Sequence, residues 1–231
     1  MQSICAHFDV SDPAQLGWAH GVNSKVYLSD VCADPAVHMV EGDVHFAAED
    51  ALPCMAHAWQ DIADLDVATW VELVMAAGKG IKLDFADAAA VEPTLAVLQR
   101  LKPTVPVMLH ANVFTLLPAE GGKPSDGLEP EQFVRLCQQY CPQAVLSLGW
   151  SLKREADADG RMEEVLIHQM ADMSLKRLGP VNYGIEIRAG YTSGWERGAA
   201  LIFDPLPSQP PAITSDGNVV QAGHLFRRVA A

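Results

Sequence analysis

Short apolar runs and amphipathic stretches follow one another along the chain in regular alternation. Runs at residues 16–20, 39–46, 80–85, 105–113, 143–150 and 181–188 have the length and side-chain character of strands. A further extended piece covers 52–57, and shorter runs at 199–203 and 212–214 make a seventh and an eighth strand. Helical stretches lie between them. Ser24 is placed to cap one over 25–32, which Pro35 closes. Asp66 caps another over 67–77, where Trp70, Val71, Val74 and Met75 recur at helical spacing before Gly78 ends it. Residues 87–101, bent or restarted at Glu92-Pro93, then 130–140 and 161–178 complete the helices. Stretches rich in Gly, Pro or charge predict loops over 118–130 and 153–160. Strands apolar throughout and separated by helices predict a parallel sheet covered by helices. Six full strands and two short ones fit an α/β fold with a single (β/α) TIM-type barrel over residues 1–231 better than an open sheet. No GxGxxG or P-loop follows any strand, which removes the usual nucleotide-binding reading.

The polar exceptions within the strands fall near their C-terminal ends. They are His20, Glu41 with Asp43, His57, Lys82 with Asp84, His110 with Asn112, and Glu186 with Arg188. In a (β/α) barrel those ends converge on one mouth, and charged groups are rarely buried without partners, so the recurrence predicts a shared polar site. Glu41 and Asp43, two residues apart on a strand, point to one face. Two adjacent carboxylates repel unless a cation lies between them; an exposed strand face is the other explanation. With Asp84 they make three oxygen donors suited to Mg²⁺ or Ca²⁺. Lys82 is either a cation for a phosphate oxygen or a partner for the carboxylates. His20 and His57 are placed to flank a reacting phosphate as general base and acid, although a single such histidine is as readily a hydrogen-bonded core residue. His110, Asn112, Trp150, Glu186 and Arg188 are candidates for substrate binding.

The chain of 231 residues is 49% hydrophobic, enough for one large core. Its 16 basic and 29 acidic residues give a net charge of −13, which argues against bulk nucleic acid or an anionic lipid surface as partner. A small anionic ligand remains compatible, because a metal and a few local cations reverse the field inside a cleft. Cys5, Cys32, Cys54, Cys137 and Cys141 form no CxxC pair and read as thiols in a reducing compartment. No run approaches a membrane span, and residues 1–9 lack the basic start and apolar core of a signal peptide, so a cytoplasmic protein is expected. Oligomeric state is left open by these features.

The pieces His20-Gly21-Val22-Asn23-Ser24, Glu41-Gly42-Asp43-Val44, Met55-Ala56-His57, Gly80-Ile81-Lys82-Leu83-Asp84-Phe85 and Leu146-Ser147-Leu148-Gly149-Trp150 resemble the menorin family. That family is similar to the phospholipase-C-like phosphodiesterases, including glycerophosphodiester phosphodiesterases and sphingomyelinase D. The resemblance runs in order from about residue 16 to residue 150 and implies a phospholipase-C-like (β/α) barrel with a metal-dependent phosphodiester site. It implies His20 and His57 as acid and base, Glu41, Asp43 and Asp84 as metal ligands, and Lys82 as a phosphate or carboxylate partner. Three features depart from the family pattern. His110-Ala111-Asn112 stands where relatives show Asn-Ala-Asp, Ala58-Trp59 where they show prolines, and Lys82 precedes Asp84 in the reverse of the acidic-x-Lys order of the better-studied phosphodiesterases.

The reading that follows is a metal-dependent phosphodiesterase, a hydrolase or cyclising lyase, acting on a small phosphodiester. A barrel that keeps the pocket and metal but only binds a phosphorylated ligand or partner uses the same residues. Metal-assisted chemistry on a non-phosphate substrate is a third option, disfavoured by Lys82 and Arg188, both suited to anions.

Overall fold

The computed structural model describes residues 2–12, 15–47, 52–56, 63–115, 128–151, 183–188, 200–203, 212–213, 219–220 and 223–226; at 114, 115 and from 150 onward it is the backbone alone that is described. The elements run α1 (Gln2–His7), β1 (Trp18–Ala19), α2 (Lys25–Ala33), β2 (Met39–Ala47), β3 (Leu52–Met55), α3 (Val67–Ala76), β4 (Gly80–Phe85) and α4 (Val91–Leu101). They continue with β5 (Val107–Thr115), α5 (Pro130–Tyr140), β6 (Val145–Ser151), β7 (Tyr183–Arg188), β8 (Ala200–Phe203), β9 (Ala212–Ile213), β10 (Val219–Val220) and β11 (Gly223–Phe226). No described helix is long and apolar enough to cross a membrane.

Local chemistry sets the boundaries. Ser24 Oγ accepts from the Tyr27 amide to cap α2, and Asp66 accepts from Thr69 to cap α3. A 3-10 turn over Ala88–Ala90, capped by Asp87, leads into α4, so Pro93 falls in the first helical turn, where a missing N–H costs nothing. The restart expected at Glu92-Pro93 therefore lies slightly earlier, at Val91.

The main sheet has the order β1-β2-β4-β5-β6-β7-β8-β11, with β3 on β2. Strands β1, β2, β4, β5, β6 and β7 are parallel neighbours in chain order, without the reversal that marks a doubly wound sheet. This mostly parallel α/β arrangement is compatible with barrel-like winding. The last strands differ from expectation. β8 runs antiparallel to β7, and 212–213 pairs with β10 in a separate two-stranded sheet. The strand that joins the main sheet beyond β8 is β11, which the apolar pattern did not single out. A parallel return needs a helical crossover of about a dozen residues or more. Residues 189–199 carry Gly190, Gly194 and Gly198 and no helical stripe, which suits an antiparallel return. The loop over 118–130 and the helix over 161–178 fall largely or wholly outside the described residues.

Alternation along the strands divides two environments. Val40, Val44, Ile81, Leu83, Phe85, Leu109, Ala111, Leu146 and Leu148 face the buried sides of the helices, where Trp70, Val74, Leu95, Leu98 and Phe133 complete the larger core. The intervening residues form the second face. At its base Trp18, Met39, Met108 and Val145 pack with Leu16 and with Ile4 and Cys5 of α1, a helix too short to show periodicity in sequence. Further along the same strands this face becomes polar.

Trp70 ties the β1–α2 connection to the larger core, because its indole N–H donates to the Val22 carbonyl at 2.7 Å. Trp70→Phe is expected to lower the unfolding free energy by about 1–3 kcal/mol, the cost of orphaning a buried carbonyl. The loss reads as a lower urea midpoint at unchanged slope. An unchanged midpoint would show that this bond does not hold the β1–α2 connection.

Candidate metal centre

Register decides which polar side chains meet. Glu41 pairs with Lys82 and Asp43 with Asp84 across β2 and β4. Asp84 pairs with His110 across β4 and β5, and His110 with Ser147 across β5 and β6. One row thus runs Asp43, Asp84, His110, Ser147, while the row beneath it runs Glu41, Lys82, Met108, Val145. The first row is polar throughout. Each of Glu41, Asp43 and Asp84 offers a carboxyl oxygen, and the three oxygens lie within 4.8 Å of one another. The expectation that Glu41 and Asp43 share a face with Asp84 is met.

The turn between β1 and α2 closes on this group. His20 Nδ1 lies 2.9 Å from Glu41 Oε2, and the Gly21 amide donates to the same oxygen at 3.0 Å. Gly21 reaches it with φ at 63°, in the left-handed region that glycine adopts without strain. Asn23 grips the next carboxylate residue in both directions: its Nδ2 donates to Asp43 Oδ2 at 2.8 Å, and its Oδ1 accepts from the Asp43 amide at 2.8 Å. From the other side the Ala56 amide donates to the Asp43 carbonyl at 3.0 Å. His20 also stacks on Trp18, ring centroids 6.2 Å apart.

Glu41 is buried, and burial pushes its carboxyl up. The His20 hydrogen bond, the charges of Lys82 and His20 and the Gly21 amide outweigh that effect and bring it down to about 2. It is therefore ionised at any physiological pH. Lys82, 3% exposed, places Nζ 3.7 Å from Glu41 Oε1, the carboxylate-partner role among the two expected for it.

The donor set fits a hard divalent cation. All three groups are oxygen donors, and a carboxylate has about four lone-pair sites, so the contacts to Glu41 do not exhaust it. The 4.8 Å limit on the spread of the oxygens is close to the span of two opposed ligands on Ca²⁺, about 4.8 Å, and slightly exceeds the roughly 4.2 Å span on Mg²⁺.

His110 and Asn112 stand on the same face of β5, but His110 is only 3% exposed and its Nδ1 lies 2.9 Å from Ser147 Oγ. His57 and the side chains of Trp150, Glu186 and Arg188 lie outside the described residues; Glu186 and Arg188 follow in alternation from Gly184, the register partner of Ser147. Sequence reasoning gave no role to Asn23 or to Ser147, although both stand in the pieces that resemble the family. His45 bonds Asp87 Oδ2 at 3.0 Å, and the Asp87 carboxylate also accepts from the Phe46 and Ala90 amides, at 3.0 and 2.8 Å. That carboxylate joins β2 to the start of the following helical turn.

A model of the Menorin N-terminal domain matches residues 12–201. The Homo sapiens protein named Protein FAM151B is 32% identical over 145 residues, which are 61% of this chain and 51% of that protein. The chain thus spans about half the length of this curated relative. With the family match covering most of the chain, and the motif-bearing turn and strands lying inside it, the chain belongs to the menorin family.

Proposed function

We propose that the chain is a metal-dependent phosphodiesterase of (β/α)-barrel architecture, acting on a small phosphodiester at the C-terminal ends of its parallel strands. The observation that carries this reading is the convergence of three carboxyl oxygens within 4.8 Å beside the His20–Glu41 pair. Chain-order winding of the parallel strands, with helices against one face, supports the barrel.

Glu41, Asp43 and Asp84 would hold a Mg²⁺ or Ca²⁺ ion. Such an ion, when bound, neutralises charge on phosphoryl oxygens. The remaining steps belong to side chains. Glu41 accepts from His20 Nδ1–H, which fixes the tautomer and leaves Nε2 as the nitrogen that exchanges a proton with the substrate. As base, it takes the proton of the attacking hydroxyl, whether water or a neighbouring hydroxyl of the substrate, as that oxygen bonds to phosphorus. The bond from phosphorus to the leaving oxygen breaks, and His57, the proposed acid, supplies the proton to that oxygen. Water attack gives a phosphomonoester, and internal attack a cyclic phosphate. Lys82 keeps Glu41 ionised, and Asn23 holds Asp43. Asn112, Trp150, Glu186 and Arg188 are the residues proposed around the substrate, with Arg188 the anion-directed one; His110, buried against Ser147, is not placed among them.

Two measurements test this reading. Millimolar Mg²⁺ or Ca²⁺ added after EDTA treatment is expected to raise the melting temperature. At one hundred times Kd the stabilisation is about 2.7 kcal/mol, and it should vanish in the double variant Glu41→Ala with Asp43→Ala. No response in the wild-type protein would remove the metal centre. In a phosphodiester panel, His20→Ala should lose about 10²-fold or more in turnover while still binding metal. Metal and phosphorylated ligand binding without product from the wild type would instead identify a non-catalytic binding barrel.

A further inference from the structure

We infer that His110 is a positioning residue for the metal centre: it fixes Asp84 from behind, and Ser147 sets which of its ring nitrogens faces that carboxyl. This deepens the metal reading above and rests on it. His110 is 3% exposed and Ser147 fully buried, so neither presents a surface to a substrate. The two lie on neighbouring strands in register, with Ser147 Oγ 2.9 Å from Nδ1. On the other edge of the ring Nε2 lies 3.7 Å from Asp84 Oδ1, a separation set by the register of β4 and β5.

The direction of the hydrogen atoms follows from the partners. A nitrogen facing a carboxylate is favoured as the donor, so the hydrogen sits on Nε2 and Nδ1 accepts from the Ser147 hydroxyl. Ser147, whose hydroxyl can donate or accept, suits that tautomer by donating, and its bond to Nδ1 fixes the orientation of the ring. The slot for the ring is cut by the next inward position of the same strand. A Cβ at Gly149 would fall 2.7 Å from His110 Cε1 and 3.0 Å from Nε2, and 2.4 Å from Asn112 Oδ1. Only a residue without a side chain lets the imidazole lie against β6, so β6 orients the ring twice, by a hydroxyl and by an absence. Each proposed ligand then has a neighbour that aims it: His20 and Gly21 for Glu41, Asn23 for Asp43, and His110 for Asp84.

The test is titration of Mg²⁺ and Ca²⁺ into wild type, His110→Leu, His110→Gln and Ser147→Ala by calorimetry, with the melting temperature of each metal-free protein. The Gln amide nitrogen reaches the place of imidazole Nε2 and presents an N–H toward Asp84 as the imidazole does; Leu cannot. His110→Leu should bind metal about 10- to 100-fold more weakly, the usual effect of losing an outer partner, and His110→Gln should recover most of that loss. Ser147→Ala, the smallest change, should weaken binding in the same direction and serves if His110→Leu does not fold. Wild-type affinity in His110→Leu, or in Ser147→Ala where His110→Leu fails to fold, overturns the inference and leaves the metal reading standing. His110→Gln as weak as His110→Leu, with melting temperatures equally lowered, shows a packing role and also overturns it. No binding by the wild type overturns the metal reading and this inference with it.

Discussion

A row of polar side chains laid across one face of a parallel sheet, half-buried at Asp43 and Asp84 and buried at His110 and Ser147, draws its partners largely from the fold itself. Asp43, Asp84, His110 and Ser147 form that row, and much of the surrounding architecture exists to hold it. A one-residue slip of any strand would drive carboxyl groups against the helices and turn Val40, Ile81 or Leu109 into the site. The large helix-facing core resists that slip, since those valines, isoleucines and leucines are fully buried against Trp70, Leu95 and Phe133. Register is therefore enforced from the apolar face and used on the polar one.

The polar row also needs a floor. Along β2 the inward residues pass from Met39 to Glu41 to Asp43, a change from apolar to ionised within two pleats. Beneath the carboxylates α1 brings Ile4 and Cys5 against Trp18, Met39, Met108 and Val145, closing the base of that face with apolar atoms. Water is excluded from below. The apolar floor by itself disfavours a charge on Glu41, but the His20 hydrogen bond, the charges of Lys82 and His20 and the Gly21 amide outweigh it, so a buried carboxyl ends up easier to ionise, not harder.

The legible parts of this chain are those written in local periodicity. The stripe Trp70, Val71, Val74 with its Asp66 cap, the helix Pro130–Tyr140 and the strand Gly80–Phe85 were readable because each encodes its own element within a few residues. So were Glu41, Asp43 and Asp84, since charge in an otherwise apolar strand is anomalous on its face. Pairing between strands is different in kind. That His110 would meet Ser147, and Asn23 would clamp Asp43 across 20 residues of chain, depends on register and on the path of a turn, neither of which leaves a local trace. The strand at 200–203 was legible but its antiparallel direction was not, since direction is set by the connection and by the neighbouring edge, and the four residues Gly223–Phe226 are too few to carry a pattern of their own.

The acidic balance of the protein sharpens what its interior cations must do. With a net charge of −13, the long-range field repels anions, so attraction of an anionic ligand to the proposed centre would have to be local. Lys82 is held by Glu41, and much of its charge offsets that of its partner. An anion approaching the proposed centre would therefore be drawn chiefly by a cation held between Asp43, Asp84 and Glu41. The same Lys82 reduces the negative charge that such a cation meets, so the three carboxyl groups alone bind it less tightly than their number suggests. A phosphoryl oxygen entering the coordination shell would restore the missing negative charge. Cation and substrate would then favour each other's binding, and by linkage each would strengthen the other by the same factor.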